Sequence, residues 1–117
     1  MKTHASHGDD VTLMGGWGAY KRGWDAVGPH YDWAAARFSE SGATVQVEYL
    51  AANVSGDLAY TVAIERSEPL LVGQDKPVPM ALRVTHIYRN EDGAWKLVHR
   101  HADHIMDITA VEAVLQK

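Results

Sequence analysis

Apolar and polar positions alternate along several stretches of this chain and recur with helical spacing along two others. Leu82 to Arg89 and Trp95 to His101 are runs rich in β-branched and aromatic residues, separated by Asn90-Glu91-Asp92-Gly93, a turn tetrad whose glycine supplies a positive φ. The pattern predicts a β-hairpin. With those four residues as the loop, Arg89 faces Ala94, Tyr88 faces Trp95, His86 faces Leu97 and Val84 faces His99. One face then carries Leu82, Val84, His86, Tyr88, Trp95, Leu97, His99 and His101, and the other Arg83, Thr85, Ile87, Arg89, Lys96, Val98 and Arg100. Upstream, Thr44 to Leu50 places Val45, Val47 and Tyr49 on one side, and Leu58 to Arg66 returns after a Ser55-Gly56-Asp57 turn. In that returning strand Leu58, Tyr60, Val62 and Ile64 oppose a row of small residues, Ala59, Thr61 and Ala63, which leaves room for a close-packed helix or for a ligand.

Two shorter strands are expected at Val11 to Met14 and around Ala19 to Lys21, joined by a glycine-rich bend. From Trp24 to Phe38 the apolar positions Trp24, Val27, Tyr31, Ala34, Ala35 and Phe38 form one helical stripe. It keeps its phase across Gly28-Pro29, which predicts a kinked helix or two end-to-end segments with Pro29 in a first turn. Ser67 to Pro79 is a long connection, and Ile108, Val111, Val114 and Leu115 line a short amphipathic helix over 108–116. The expected fold is α+β: a curved antiparallel sheet of four long strands plus a short N-terminal hairpin, with a kinked helix on its concave face and a short C-terminal helix.

At 117 residues the chain makes one domain, here 1–117 with a polar start over 1–8 and a C-terminal extension over 104–117. His4 and His7 in that start are expected to be solvated. Eleven basic against fifteen acidic residues give a net charge of -4 with no basic cluster, which argues against nucleic acid and anionic membranes as partners. There is no cysteine, hence no disulfide framework and no thiolate metal site. No apolar stretch approaches membrane-spanning length and no leader pattern opens the chain, so a cytoplasmic protein is expected. The Gly15-Gly16-Trp17-Gly18 run has neither the glycine spacing nor the terminal Lys-Ser/Thr of a phosphate cradle.

The hairpin ending in Trp95-Lys96-Leu97-Val98-His99-Arg100-His101-Ala102-Asp103 resembles the SnoaL-like branch of the nuclear-transport-factor-2-like superfamily, which also holds ketosteroid isomerase, scytalone dehydratase and the kinase association domain. Asp9 to Gly15 is similar to that family's first strand, and the resemblance covers most of residues 7 to 103. It implies a cystatin-like α+β fold but no single function, because the fold hosts enzymes, binding proteins and assembly modules alike. Family members usually begin with about two further helices, and Met1 to Gly8 is too short to supply them. The helix over 108–116 is therefore expected to pack over the sheet in their place. By the resemblance, the oxyanion-binding acid of ketosteroid isomerase falls at Thr85 and its general base at Met14, and neither residue can do that chemistry.

Three groups of side chains are candidates for chemistry. His86, His99 and His101 on one expected face, with Asp103 and His104 beyond, have metal-ligand character, but the resembling family carries such histidines without a metal, so no metal and no cofactor are expected. Arg83 and Arg100, expected on the face of Thr85, suit an anionic group if they are not paired with Glu48, Glu65 or Asp57. A pocket between sheet and helix is expected to be lined from Met14, Trp17, Tyr20, Trp33, Tyr60, Arg83, Thr85 and Arg100 and to take a small apolar or anionic molecule. The alternative is a hydrolase, dehydratase or cyclase with His30 or His99 as general base and Asp103 or Asp32 as orienting partner. Val84, Tyr88, Trp95 and Leu97 would form an apolar face that pairs two copies into a homodimer, and a dimerisation module is the third reading.

Overall fold

The computed structural model describes residues 4–15, 20–41, 44–68 and 79–105, with the backbone alone for 33–41. Six strands and one helix follow in the order β1 (Thr12–Met14), β2 (Tyr20–Arg22), α1 (Trp24–Ser41), β3 (Gln46–Ser55), β4 (Leu58–Ser67), β5 (Met80–Glu91) and β6 (Ala94–His104). They form one curved, open sheet with strand order β2-β1-β6-β5-β4-β3. The α+β class, the four long strands and the short N-terminal pair are as the pattern predicts. The sheet is not wholly antiparallel: β1 runs parallel to β6, Thr12 opposite His99 and Met14 opposite His101. Nearly the whole chain separates the two strands, which is the long connection that parallel pairing needs.

The β5–β6 hairpin differs from expectation in its loop and in its register. Both strands extend further, so the loop is Asp92-Gly93 alone, with φ of 54° and 86°. Two successive positive φ values match the twist of a two-residue hairpin, and aspartate tolerates the first of them. Tyr88 consequently pairs with Leu97 rather than Trp95. A bulge then inserts one residue at Val98, and beyond it Ile87 opposes His99, His86 opposes Arg100 and Val84 opposes Ala102. One extra residue exchanges the faces of everything that follows. His99 and His101 therefore leave the face of His86, and Arg100 joins it. The proposed trio of histidines does not assemble, and Arg100 does not share a face with Arg83 and Thr85.

The helix α1 is continuous through Pro29, which sits in its second turn rather than a first turn, with its ring exposed. On that side water can satisfy the backbone carbonyl that proline leaves without a donor. Val27 and Tyr31 are buried against Val11, Leu13 and Leu97, with Trp24 and Tyr88 at the margin, while Met80, Leu82, Val84 and Ala102 form a second cluster. Val84 and Leu97, expected on an uncovered face, are therefore covered by their own chain at 2% and 3% exposure. Among the described residues, the uncovered side of the sheet is the other one, carrying Leu58, Tyr60, Val62, Ile64 and Ile87.

The polar start is also docked. Ala5 bridges Leu97, the Ser6 amide donates to the Leu97 carbonyl at 2.8 Å, and the Ser6 hydroxyl donates to Glu91 at 2.8 Å. Arg89 ties the segment further by binding Asp10 and Glu91 together. His7 is exposed but stacks on Trp24 with ring centroids 3.8 Å apart. The helix expected over 108–116 lies outside the described residues. Within them no helix is long and apolar enough to cross a membrane.

Candidate functional site

The side chains of the helix-facing side of the sheet follow from register. Tyr88 pairs with Ala59, His86 with Thr61 and Val84 with Ala63, so the small row of β4 faces the helix, as do Val47 and Tyr49 of β3 through their partners Glu65 and Ala63. Small side chains there leave a pocket of about 340 Å³, lined among the described residues by His4, Val47, Tyr49, Ala63, Glu65, His86, Tyr88 and Leu97. Its volume lies within the range of small-molecule sites. A second, more polar groove of about 880 Å³ lies at the end of β3 and β4, between Thr44, Arg66, Pro79 and Ile105.

One hydrogen-bonded chain forms the polar part of the first pocket. Arg100 Nη2 and Nη1 donate to Glu65 Oε1 and Oε2 at 2.9 and 3.0 Å, a two-point ion pair in which both side chains are largely buried. Arg100 Nη1 also lies 2.9 Å from His86 Nε2. A guanidinium only donates, so Nε2 accepts and the ring proton of neutral His86 is on Nδ1. From there it is directed to Tyr88 Oη, 3.1 Å away. Burial and the Arg100 charge push the His86 imidazolium down to about 4, while Glu65 opposes them. Burial raises the Glu65 carboxyl, but the Arg100 hydrogen bonds and charge outweigh it and hold the group below its ordinary value. Burial raises the Tyr88 phenol, partly offset by a hydrogen bond from Thr61.

Of the residues expected to line a pocket, Arg100 joins this chain. Met14, Tyr20, Tyr60, Arg83 and Thr85 lie on the opposite face, because each pairs directly or through the sheet with residues turned away from the helix. Trp17 lies outside the described residues, and Trp33 is on α1 without a described side chain. Arg83 is bound in two-point fashion by Asp103 at 2.7 and 2.8 Å, so Asp103 does not orient a histidine. His99 Nδ1 lies 2.7 Å from Thr12 Oγ1 on the face away from the pocket, and His30 is half-buried on α1. No group of three or more His, Asp or Glu side chains among the described residues is placed to hold a metal ion. The sequence marks Glu65 only as a possible arginine partner and gives His86, Tyr88, Val47 and Tyr49 no pocket signal of their own; the β4 row of small residues that includes Ala63 is the signal that marks the place.

A curved, open sheet with a single long helix packed on part of one side defines an α+β protein of the cystatin-like kind. The SnoaL-like domain profile matches residues 1–106, and the chain belongs to that family. Among solved structures it is similar to a protein from Thiobacillus denitrificans described as a calcium/calmodulin-dependent protein kinase type II association domain, with 22% identity, 91% of this chain and 80% of that chain covered, and a TM-score of 0.71. It is also similar to a ketosteroid isomerase-like protein from Erwinia carotovora atroseptica, at 16% identity over 91% of this chain and 79% of that one, with a TM-score of 0.72. A protein of the nuclear-transport-factor-2-like family from Streptomyces avermitilis, described as a dehydratase, matches at 20% identity, 83% and 67% coverage and a TM-score of 0.66. At these identities the likeness concerns the fold. No curated protein sequence matches the chain.

Proposed function

We propose that this protein binds a small, largely apolar molecule in the pocket between the sheet and α1. The observation that carries the reading is the pocket itself, where Val47, Tyr49, Ala63 and Leu97 surround the polar chain Glu65, Arg100, His86 and Tyr88. Apolar walls with a few fixed polar groups are what small-molecule sites share. A general-base reading has less support, since His99 is on the other face and His86 Nε2 is occupied by Arg100. Titration with the uncharged dye Nile red tests binding. Saturable fluorescence enhancement is expected in the native protein and its loss in Ala63→Phe, which fills the pocket, with the circular dichroism spectrum retained. Equal enhancement in a folded Ala63→Phe variant would place the dye elsewhere and remove the support.

We further infer a homodimer, through the face opposite to the one expected from the hairpin pattern. Leu58 and Tyr60 are 53% and 42% exposed there, beside Val62, Ile64 and Ile87, and a second copy of the same face supplies an apolar cover of matching character.

A further inference from the structure

The sheet ends at β3. Among the described residues no strand pairs with its outer edge, and all ten residues of the strand are exposed. Val47, Tyr49, Leu50 and Val54 are 45%, 66%, 57% and 60% exposed. Sheet edges are ordinarily protected by shortness, proline, lysine, a bulge or a covering element. β3 is long and has neither proline nor lysine, and its single charge, Glu48, is bound by Arg66 at 2.7 Å. The one protective device it does have is a bulge at Leu50.

The register with β4 decides which backbone groups point outward. A two-residue loop, Gly56-Asp57, closes on the pair of Ser55 and Leu58, and the closing pair of such a hairpin exchanges both backbone bonds. Bonded and non-bonded pairs then alternate. Ser55, Asn53 and Ala51 therefore bond to β4, while Val54 and Ala52 turn their N–H and C=O groups to the edge. In agreement, the Val54 amide donates to the Asn53 side chain at 2.8 Å and not to a strand. Leu50 adds one residue, so the outward set continues with Tyr49, opposite Ala63, and Val47, opposite Glu65. Ala52 stands opposite Thr61 and Val54 opposite Ala59, so the four outward residues are evenly spaced along β4. They are also symmetric about Leu50-Ala51, and the bulge leaves that ladder in step.

We propose that the outer edge of β3 is a self-association surface, pairing antiparallel with β3 of a second copy about a two-fold axis at Leu50-Ala51. Val47 then opposes Val54 of the partner subunit, and Tyr49 opposes Ala52 of the partner subunit, each pair exchanging two backbone bonds. All four side chains lie on the helix side, so like side meets like side and apolar meets apolar. On the other side Glu48 opposes Asn53 of the partner subunit, and no like charges meet. Any other antiparallel register aligns fewer of the four outward positions. The pairing depends neither on the pocket nor on the face of Tyr60 and Ile64. One added strand per copy is a small contact, so its Kd is on the order of 0.1 mM and it forms well above the concentration expected for the face contact.

Static light scattering from about 5 μM to about 1 mM, joined to amide exchange resolved by residue, tests the edge. The native mass is expected to rise above its micromolar value toward the upper end. Exchange at Val47, Tyr49, Ala52 and Val54 should slow by about fivefold over the same range, since about four-fifths of the edges are then paired. Ala52→Pro removes an outward donor and no bond to β4, and Val54→Lys places a charge against Val47 of the partner subunit. Both variants should keep the native circular dichroism spectrum and micromolar mass and lose the concentration-dependent rise; where the proline variant does not fold, the lysine variant decides. Ile64→Glu, which lies on the other surface, should keep the slowed exchange. A mass that rises while these four amides exchange unchanged would place the contact elsewhere and overturn the proposal. A mass constant up to about 1 mM would overturn pairing with a second copy as well.

Discussion

His86 joins stability to chemistry in one side chain. It is nine-tenths buried, neutral, and held by hydrogen bonds at both ring nitrogens, with its ionisation moved from 6.5 to about 4. The unfolded chain takes up that proton as the pH falls below about 6.5, whereas the folded protein resists it down to about 4. Stability is therefore full above the upper value and falls progressively toward the lower one, by on the order of 3 kcal/mol. His99 and His30, both depressed first by burial, act in the same direction. Urea unfolding across this range should show the loss, and His86→Gln, which can still accept from Arg100 and donate to Tyr88, should flatten it. A pH slope unchanged in that variant would mean that His86 is not held neutral by its surroundings.

Among the elements, the β5–β6 hairpin shows most clearly how far alternation reaches. Two strands, their turn and the pairing of Leu97 side with Tyr88 side were legible in the β-branched runs around Asp92-Gly93. The bulge was not: Val98 is an ordinary strand residue, and nothing in composition marks it as unpaired. That one insertion separated the histidines and brought Arg100 to Glu65. The small row in β4 was legible as room, but the side of the sheet on which a pocket forms is set by the helix and by the register, both tertiary. Gly93→Ala should lower stability by about 1 kcal/mol, since φ of 86° strains any side chain. The N-terminal segment offers a second check, because its docking depends on backbone bonds that composition does not reveal. The Ser6 amide, bonded to Leu97 and belonging to a residue 2% exposed, should exchange with deuterium on the timescale of β6. Exchange at the free-peptide rate would show the segment undocked.

At the scale of the whole molecule, one helix packs on part of one face of a six-stranded sheet, and the other face carries exposed apolar side chains among the described residues. Alternation alone leaves open which face is the more exposed; the register places Tyr60 and Ile64 on the face opposite to the buried Val84 and Leu97, and the homodimer proposed above uses that face. Light scattering is expected to give twice the chain mass at micromolar concentration, with Ile64→Glu shifting the population to monomer. A native monomer at that concentration would remove the homodimer.

The measurement that reaches the pocket most directly is a crystal structure of the Nile red complex. The dye should lie among Val47, Tyr49 and Ala63, while Glu65 and Arg100 remain paired. A dye seated in the groove beside Arg66 and Ile105 would contradict it.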